Sequence, residues 1–98
     1  MTDRIVYISD LLGQASEHGY LLIDEANLPT EFFTLRSGLA GDIFQKFVNY
    51  QMALAVLVKD PSVYGDRVVE LVREHQRHPL VRFFSDADSA KTWLSRFN

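Results

Sequence analysis

Seven consecutive apolar residues, Met52-Ala53-Leu54-Ala55-Val56-Leu57-Val58, leave no polar position at which one face of a strand could meet water. A half-exposed antiparallel strand alternates apolar and polar side chains. An unbroken run is what a central parallel strand shows, because both of its faces are covered. Ahead of it, Leu39, Ile43, Phe47 and Tyr50 step by four, four and three, with Ala40, Phe44 and Val48 beside them. That stripe is broad enough to lie against a sheet. A helix over about Gly38 to Asn49, feeding a strand within Gln51–Val58 that Lys59-Asp60-Pro61 closes, is the unit on which the fold has to be built.

The other segments supply more of the same. Arg4-Ile5-Val6-Tyr7-Ile8 is β-branched and aromatic and reads as a strand. Ser9 or Asp10 then caps a short helix to about His18, with Leu11, Leu12 and Ala15 on one face and Gly19 as a left-handed C-cap. Tyr20-Leu21-Leu22-Ile23 reads as the next strand. Leu28-Pro29-Thr30-Glu31 opens one or two helical turns packed through Phe32, Phe33 and Leu35. Val68, Leu71, Val72 and His75 mark a helix from about Ser62 to Arg77, which His78-Pro79 stops. Leu80–Phe84 is the last strand. Ser85-Asp86-Ala87-Asp88 caps a terminal helix carrying Ala90, Trp93, Leu94 and Phe97 at i, i+3, i+4, i+7. Strands alternating with helices predict an α/β fold, one domain over residues 1–98 with about four mostly parallel strands. The apolar strands ask for cover on both faces, from helices or from a second subunit.

Composition narrows the function. The net charge is −3 and the ten Lys and Arg are scattered, so no basic stripe is laid out for a phosphate backbone, and nucleic acid is not an expected partner. Cysteine is absent, which removes disulfide and thiolate chemistry. The longest apolar run is seven residues, far short of the ~20 that span a bilayer. Met1-Thr2-Asp3-Arg4 lacks a basic segment leading into a cleavable apolar stretch, so a cytoplasmic protein without membrane partners is expected.

Phe32-Phe33, Gly38-Leu39-Ala40-Gly41 and Gln45-Lys46-Phe47-Val48-Asn49-Tyr50 together resemble a bacterial family catalogued as domain of unknown function 4180. The likeness continues through Val56–Asp60 and Phe83-Phe84…Ala90…Trp93-Leu94. More distantly, the element order and Ser37-Gly38-Leu39 are similar to STAS domains of anti-sigma factor antagonists, in which a Ser before Gly-Leu opens a helix and is phosphorylated by a partner kinase. Leu35 and Arg36 stand where STAS domains carry an Asp. This resemblance implies a STAS-like topology, with helices largely on one side of the sheet. A flavodoxin-like three-layer arrangement is the alternative.

Ser37 as N-cap would accept a hydrogen bond from the amide of Leu39 or Ala40. With Arg36 beside the positive end of the helix, and Gly38 and Gly41 leaving its first turn bare, Arg36, Ser37, Gly38 and Gly41 form a candidate anion-binding or modification site. Phe32 and Phe33 are candidate partner contacts beside it. A plainer account stands next to each reading: Ser37 is only a cap, the glycines allow tight packing, and the two aromatics roof the core. Asp10, Asp24, Glu25, Asp60 and Asp86 follow the predicted strands and could meet at one sheet edge around a ligand or Mg²⁺. Asp is also favoured at helix starts, which is where Asp10, Asp60 and Asp86 fall. His75 and His78 lack the companions of a metal site. No nucleophile–base pair or phosphate loop is present in the sequence, so neither catalytic residues, cofactor nor metal is expected. The expectation is a non-enzymatic regulatory or protein-interaction module centred on the start of the 38–49 helix. Its expected partner is a kinase or regulator, or a second copy of the chain. A ligand binder or enzyme using the strand-end carboxylates is the alternative.

Overall fold

The computed structural model describes residues 2–97. Three parallel strands, β1 (Tyr20–Asp24), β2 (Ala53–Leu57) and β3 (Val81–Phe84), form one sheet in the order β1-β2-β3. Five helices accompany them: α1 (Thr2–Ser16), α2 (Thr30–Phe33), α3 (Leu39–Asn49), α4 (Asp66–Glu74) and α5 (Ala87–Leu94). The central strand is the one made from the unbroken apolar run, and Ala53, Leu54, Ala55 and Val56 are all buried.

The register sorts side chains into two faces. Leu21, Leu54 and Val81 stand in one cross-strand row and Ile23, Val56 and Phe83 in the next. These rows carry the main core, with Ile8, Leu11 and Ala15 of α1, Phe32 of α2, and Leu39, Ala40, Ile43, Phe44 and Phe47 of α3 packed on them. The opposite face shows Tyr20, Leu22, Ala53, Ala55, Leu57 and Phe84, covered by Ala90, Trp93 and Leu94 of α5. Small alanines at the centre of β2 let the bulky Trp93 and Leu94 come down onto the strand. The sheet is therefore sandwiched between helices, as unbroken apolar strands require.

Two expectations are corrected. Arg4–Ile8 is not a strand but the first part of α1, which runs on without a break through Ser9 and Asp10 to Ser16. The sheet accordingly has three strands rather than four. β-branching at Ile5, Val6 and Ile8 favours a strand only weakly. Packing decides the matter: Ile8, Leu11 and Ala15 repeat at helical spacing, and all three are buried on the sheet. The helix expected from Ser62 to Arg77 is also divided, into a 3-10 turn over Pro61–Tyr64 and α4, with Gly65 at φ 105° between them. A positive φ of that kind suits glycine and interrupts the helix. The remaining expected elements appear within a residue or two of their expected bounds, except that α5 ends at Leu94 and Phe97 falls in a 3-10 turn over Ser95–Phe97. Gly19, at φ 84°, ends the turn after α1.

Candidate functional site

The segment between β1 and β2 carries most of the predicted site. Pro29 fixes the entry to α2, and α2 is followed by a 3-10 turn over Leu35–Ser37. Gly38, at φ 82°, turns the chain into α3 and occupies the N-cap itself. Ser37 thus precedes the cap rather than forming it. Its hydroxyl still accepts from the Leu39 amide at 3.3 Å, while donating to the Glu31 carbonyl oxygen at 2.9 Å. One hydroxyl joins α2 to the first amide of α3.

Arg4 of α1 completes this node, and sequence reasoning missed it. Its guanidinium donates to the Ser37 carbonyl oxygen at 3.0 Å, to Asp42 at 3.2 Å and to the Glu31 carboxylate. The contact with Glu31, followed by the charges of Glu31 and Asp42, holds the guanidinium pKa above its ordinary value despite some desolvation. A planar fork that spans three acceptors is something Arg does and Lys does not. The positive end of α3 already has its own carboxylate, Asp42, in the first turn. Gly41 is exposed, and a side chain there would meet nothing.

The node closes one end of a groove between α1 and α3. The groove encloses about 600 Å³ and is lined by Ile5, Ile8 and Leu12 from one side and by Gln45, Lys46 and Asn49 from the other, with Tyr50 at its far end. Ile5 is 71 % exposed and Tyr50 62 %, large apolar surfaces at the two ends of a partly polar cleft. The sequence signal was available in Ile5, Ser9 and Leu12, a stripe stepping by four and three that becomes visible once the segment is helical.

The other predicted residues divide. Phe32 is 1 % exposed and packs edge-on against Phe44, so it belongs to the core and offers no surface to a partner. Phe33 is half-buried and lies flat on Tyr64, ring centres 3.8 Å apart. Together with Arg36 and Arg67 these two rings line a second cleft of about 470 Å³. Arg36 is exposed there and forms no ion pair among the described residues.

The strand-end carboxylates are mostly engaged by the chain itself. Asp10 lies inside α1 and follows no strand. Asp24 accepts from the Ala26 amide at 2.9 Å, Asp60 from the Ser62 amide at 3.1 Å and hydroxyl at 2.6 Å, and Asp86 from the Ser89 amide at 3.1 Å. The Ser62 contacts draw the Asp60 pKa down. Glu25 reaches across the edge to the Lys59 amide at 2.9 Å and to the Tyr64 hydroxyl, and that hydrogen bond lifts the phenol to about 12. Among the described residues no three His, Asp or Glu gather as metal ligands, and no helix is long and apolar enough to cross a membrane.

The fold and these contacts define a small α/β domain with a three-stranded parallel sheet between helices, locked at the start of α3 by an arginine from α1. The chain belongs to the family described as domain of unknown function (DUF4180), whose model matches residues 3–94. No curated protein and no solved structure matches it.

Proposed function

We propose that this chain is a non-catalytic protein-interaction module whose binding face is the α1–α3 groove. The observation that carries the reading is the exposure of Ile5 and Tyr50 at the two ends of a cleft floored by Ile8 and Leu12. Large apolar side chains left open around a concave strip mark an interaction surface. A groove between two helices fits an amphipathic helix that lays apolar anchors along it, with Gln45, Lys46 and Asn49 as the polar rim.

The regulatory form of this reading uses Ser37, as in the STAS domains that Ser37-Gly38-Leu39 resembles. A phosphate there would replace the hydroxyl's bonds to Glu31 and Leu39 and compete with Glu31 and Asp42 for Arg4. Arg4 lines the groove, so the charge state of Ser37 would be felt by whatever occupies it.

The test is affinity capture from the host lysate with wild type, Ile5→Glu and Val63→Glu. Val63 is equally exposed but lies on the turn before α4, outside the groove. A companion lost with Ile5→Glu and retained with Val63→Glu supports the groove. A companion that ignores Ile5→Glu contradicts it.

A further inference from the structure

The entry to β3 is held by a contact that an imidazole makes only in its neutral form. His78 Nδ1 accepts from the Leu80 amide and from the Val81 amide, each at 3.0 Å. An Asn or Asp side chain makes this kind of bond in a turn, and its acceptor oxygen is fixed; here the acceptor titrates. With two N–H groups pointing at Nδ1, the ring hydrogen of the neutral form sits on Nε2.

The contact is tied into the sheet. The Leu80 carbonyl oxygen accepts from the Leu54 amide of β2 at 2.7 Å, and the His78 carbonyl oxygen accepts from Arg82 Nε at 2.7 Å. His75, at the end of α4, stacks on His78 with ring centres 5.3 Å apart, and its own Nδ1 lies 2.8 Å from the Leu71 carbonyl oxygen. Phe44 of α3 and Phe83 of β3 pack on His75. The titratable or charged groups facing His78 are therefore His75 from α4 and Arg82 from β3, and α3 presents an apolar ring to the pair. No carboxylate among the described residues is within ion-pair distance of either imidazole.

We propose that His78 is an acid-sensitive clasp, in which protonation of Nδ1 releases the Leu80 and Val81 amides and frees the start of β3 from the turn after α4. A protonated Nδ1 would point a donor at two donors, beside the Arg82 guanidinium and a second imidazole and with no counter-charge within ion-pair distance among the described residues. Burial first, then His75 and Arg82, depress the His78 pKa below its ordinary value. The unfolded chain then binds the extra proton more readily, so the clasp is whole above ~6.5 and is lost as pH falls through the lower folded value.

Amide hydrogen exchange at Leu80 and Val81 tests this, corrected for intrinsic rates, at about pH 7.5 and about pH 5, on either side of the ordinary imidazole value. Protection of both amides in the wild type is lost at the lower pH, while Val56 in mid-sheet keeps its protection. His78→Asn, which keeps an acceptor and removes the titration, holds protection at both pH values; His78→Ala is unprotected at both. Unchanged wild-type protection at Leu80 and Val81 while the His78 ring passes from neutral to charged overturns the proposal. So does a loss in His78→Asn as large as in the wild type. Should either variant fail to fold, the wild-type comparison with Val56 still decides.

Discussion

The guanidinium of Arg4 donates to the main-chain oxygen of Ser37 at 3.0 Å, across 33 residues of sequence. This bond, with those to Glu31 and Asp42, ties α1 to the start of α3. Arg4→Ala is expected to lower the thermal unfolding midpoint and to make exchange of the Leu39 amide faster. Arg4→Lys recovers only part of the loss, because its donors share one nitrogen and cannot reproduce the two guanidinium nitrogens that face Asp42 on one side and Glu31 and Ser37 on the other. Raised salt narrows the gap between wild type and Arg4→Ala, since the two ion pairs are partly exposed and therefore screened.

Ser37 and Gly38 carry different physical burdens. Ser37→Ala removes a hydroxyl that bridges Glu31 and Leu39, and denaturant titration should show a loss of ~1 kcal/mol. Gly38→Ala forces a Cβ into φ 82°, at a cost of ~1–2 kcal/mol, although the space around it is open apart from Arg4 at 3.9 Å.

The neighbouring aromatics should part company in the same assay. Phe32→Ala empties a fully buried ring position and is expected to destabilise by ~3–5 kcal/mol. Phe33→Ala loses one stacked partner of Tyr64 at a half-buried position, and should cost much less.

Alkaline titration followed by phenolate absorbance should find Tyr64 ionising late, at about 12, and Tyr7, whose hydroxyl is buried without a partner among the described residues, also above the ordinary value. The raised Tyr64 pKa means that the Glu25 contact supports the fold fully below the ordinary value of ~10, and that this support is lost as pH rises through the folded value. Glu25→Gln should return Tyr64 toward the ordinary value, because the main cause of the shift is the carboxylate hydrogen bond.

Much of the architecture was legible because burial on two faces writes itself directly into β2, and a wide apolar stripe into α3. Gly19, Pro29 and Asp86 marked their boundaries by local chemistry, and the structure has Asp86 capping α5 through Ser89. Arg4–Ile8 was misleading because five residues of β-branched and aromatic sequence satisfy a strand as readily as a helix. Only the continuation of Ile8 into Leu11 and Ala15 separates the two. That one error also hid the candidate site. While the segment is taken as a strand, nothing relates Arg4 to Glu31 or Asp42, and Ile5 cannot share a groove with Tyr50. The Glu25–Tyr64 contact was invisible for a similar reason, since long-range pairing of a half-buried carboxylate leaves no local pattern.

Site-specific photo-crosslinking in the host tests the binding face most directly, with the photoreactive side chain placed at Ile5 in one preparation and at Val63 in another. The account predicts a discrete crosslinked protein from Ile5, its yield reduced by Tyr50→Ala, and none from Val63. Equal crosslinking from both positions, or none from Ile5 while Val63 captures a partner, would contradict it.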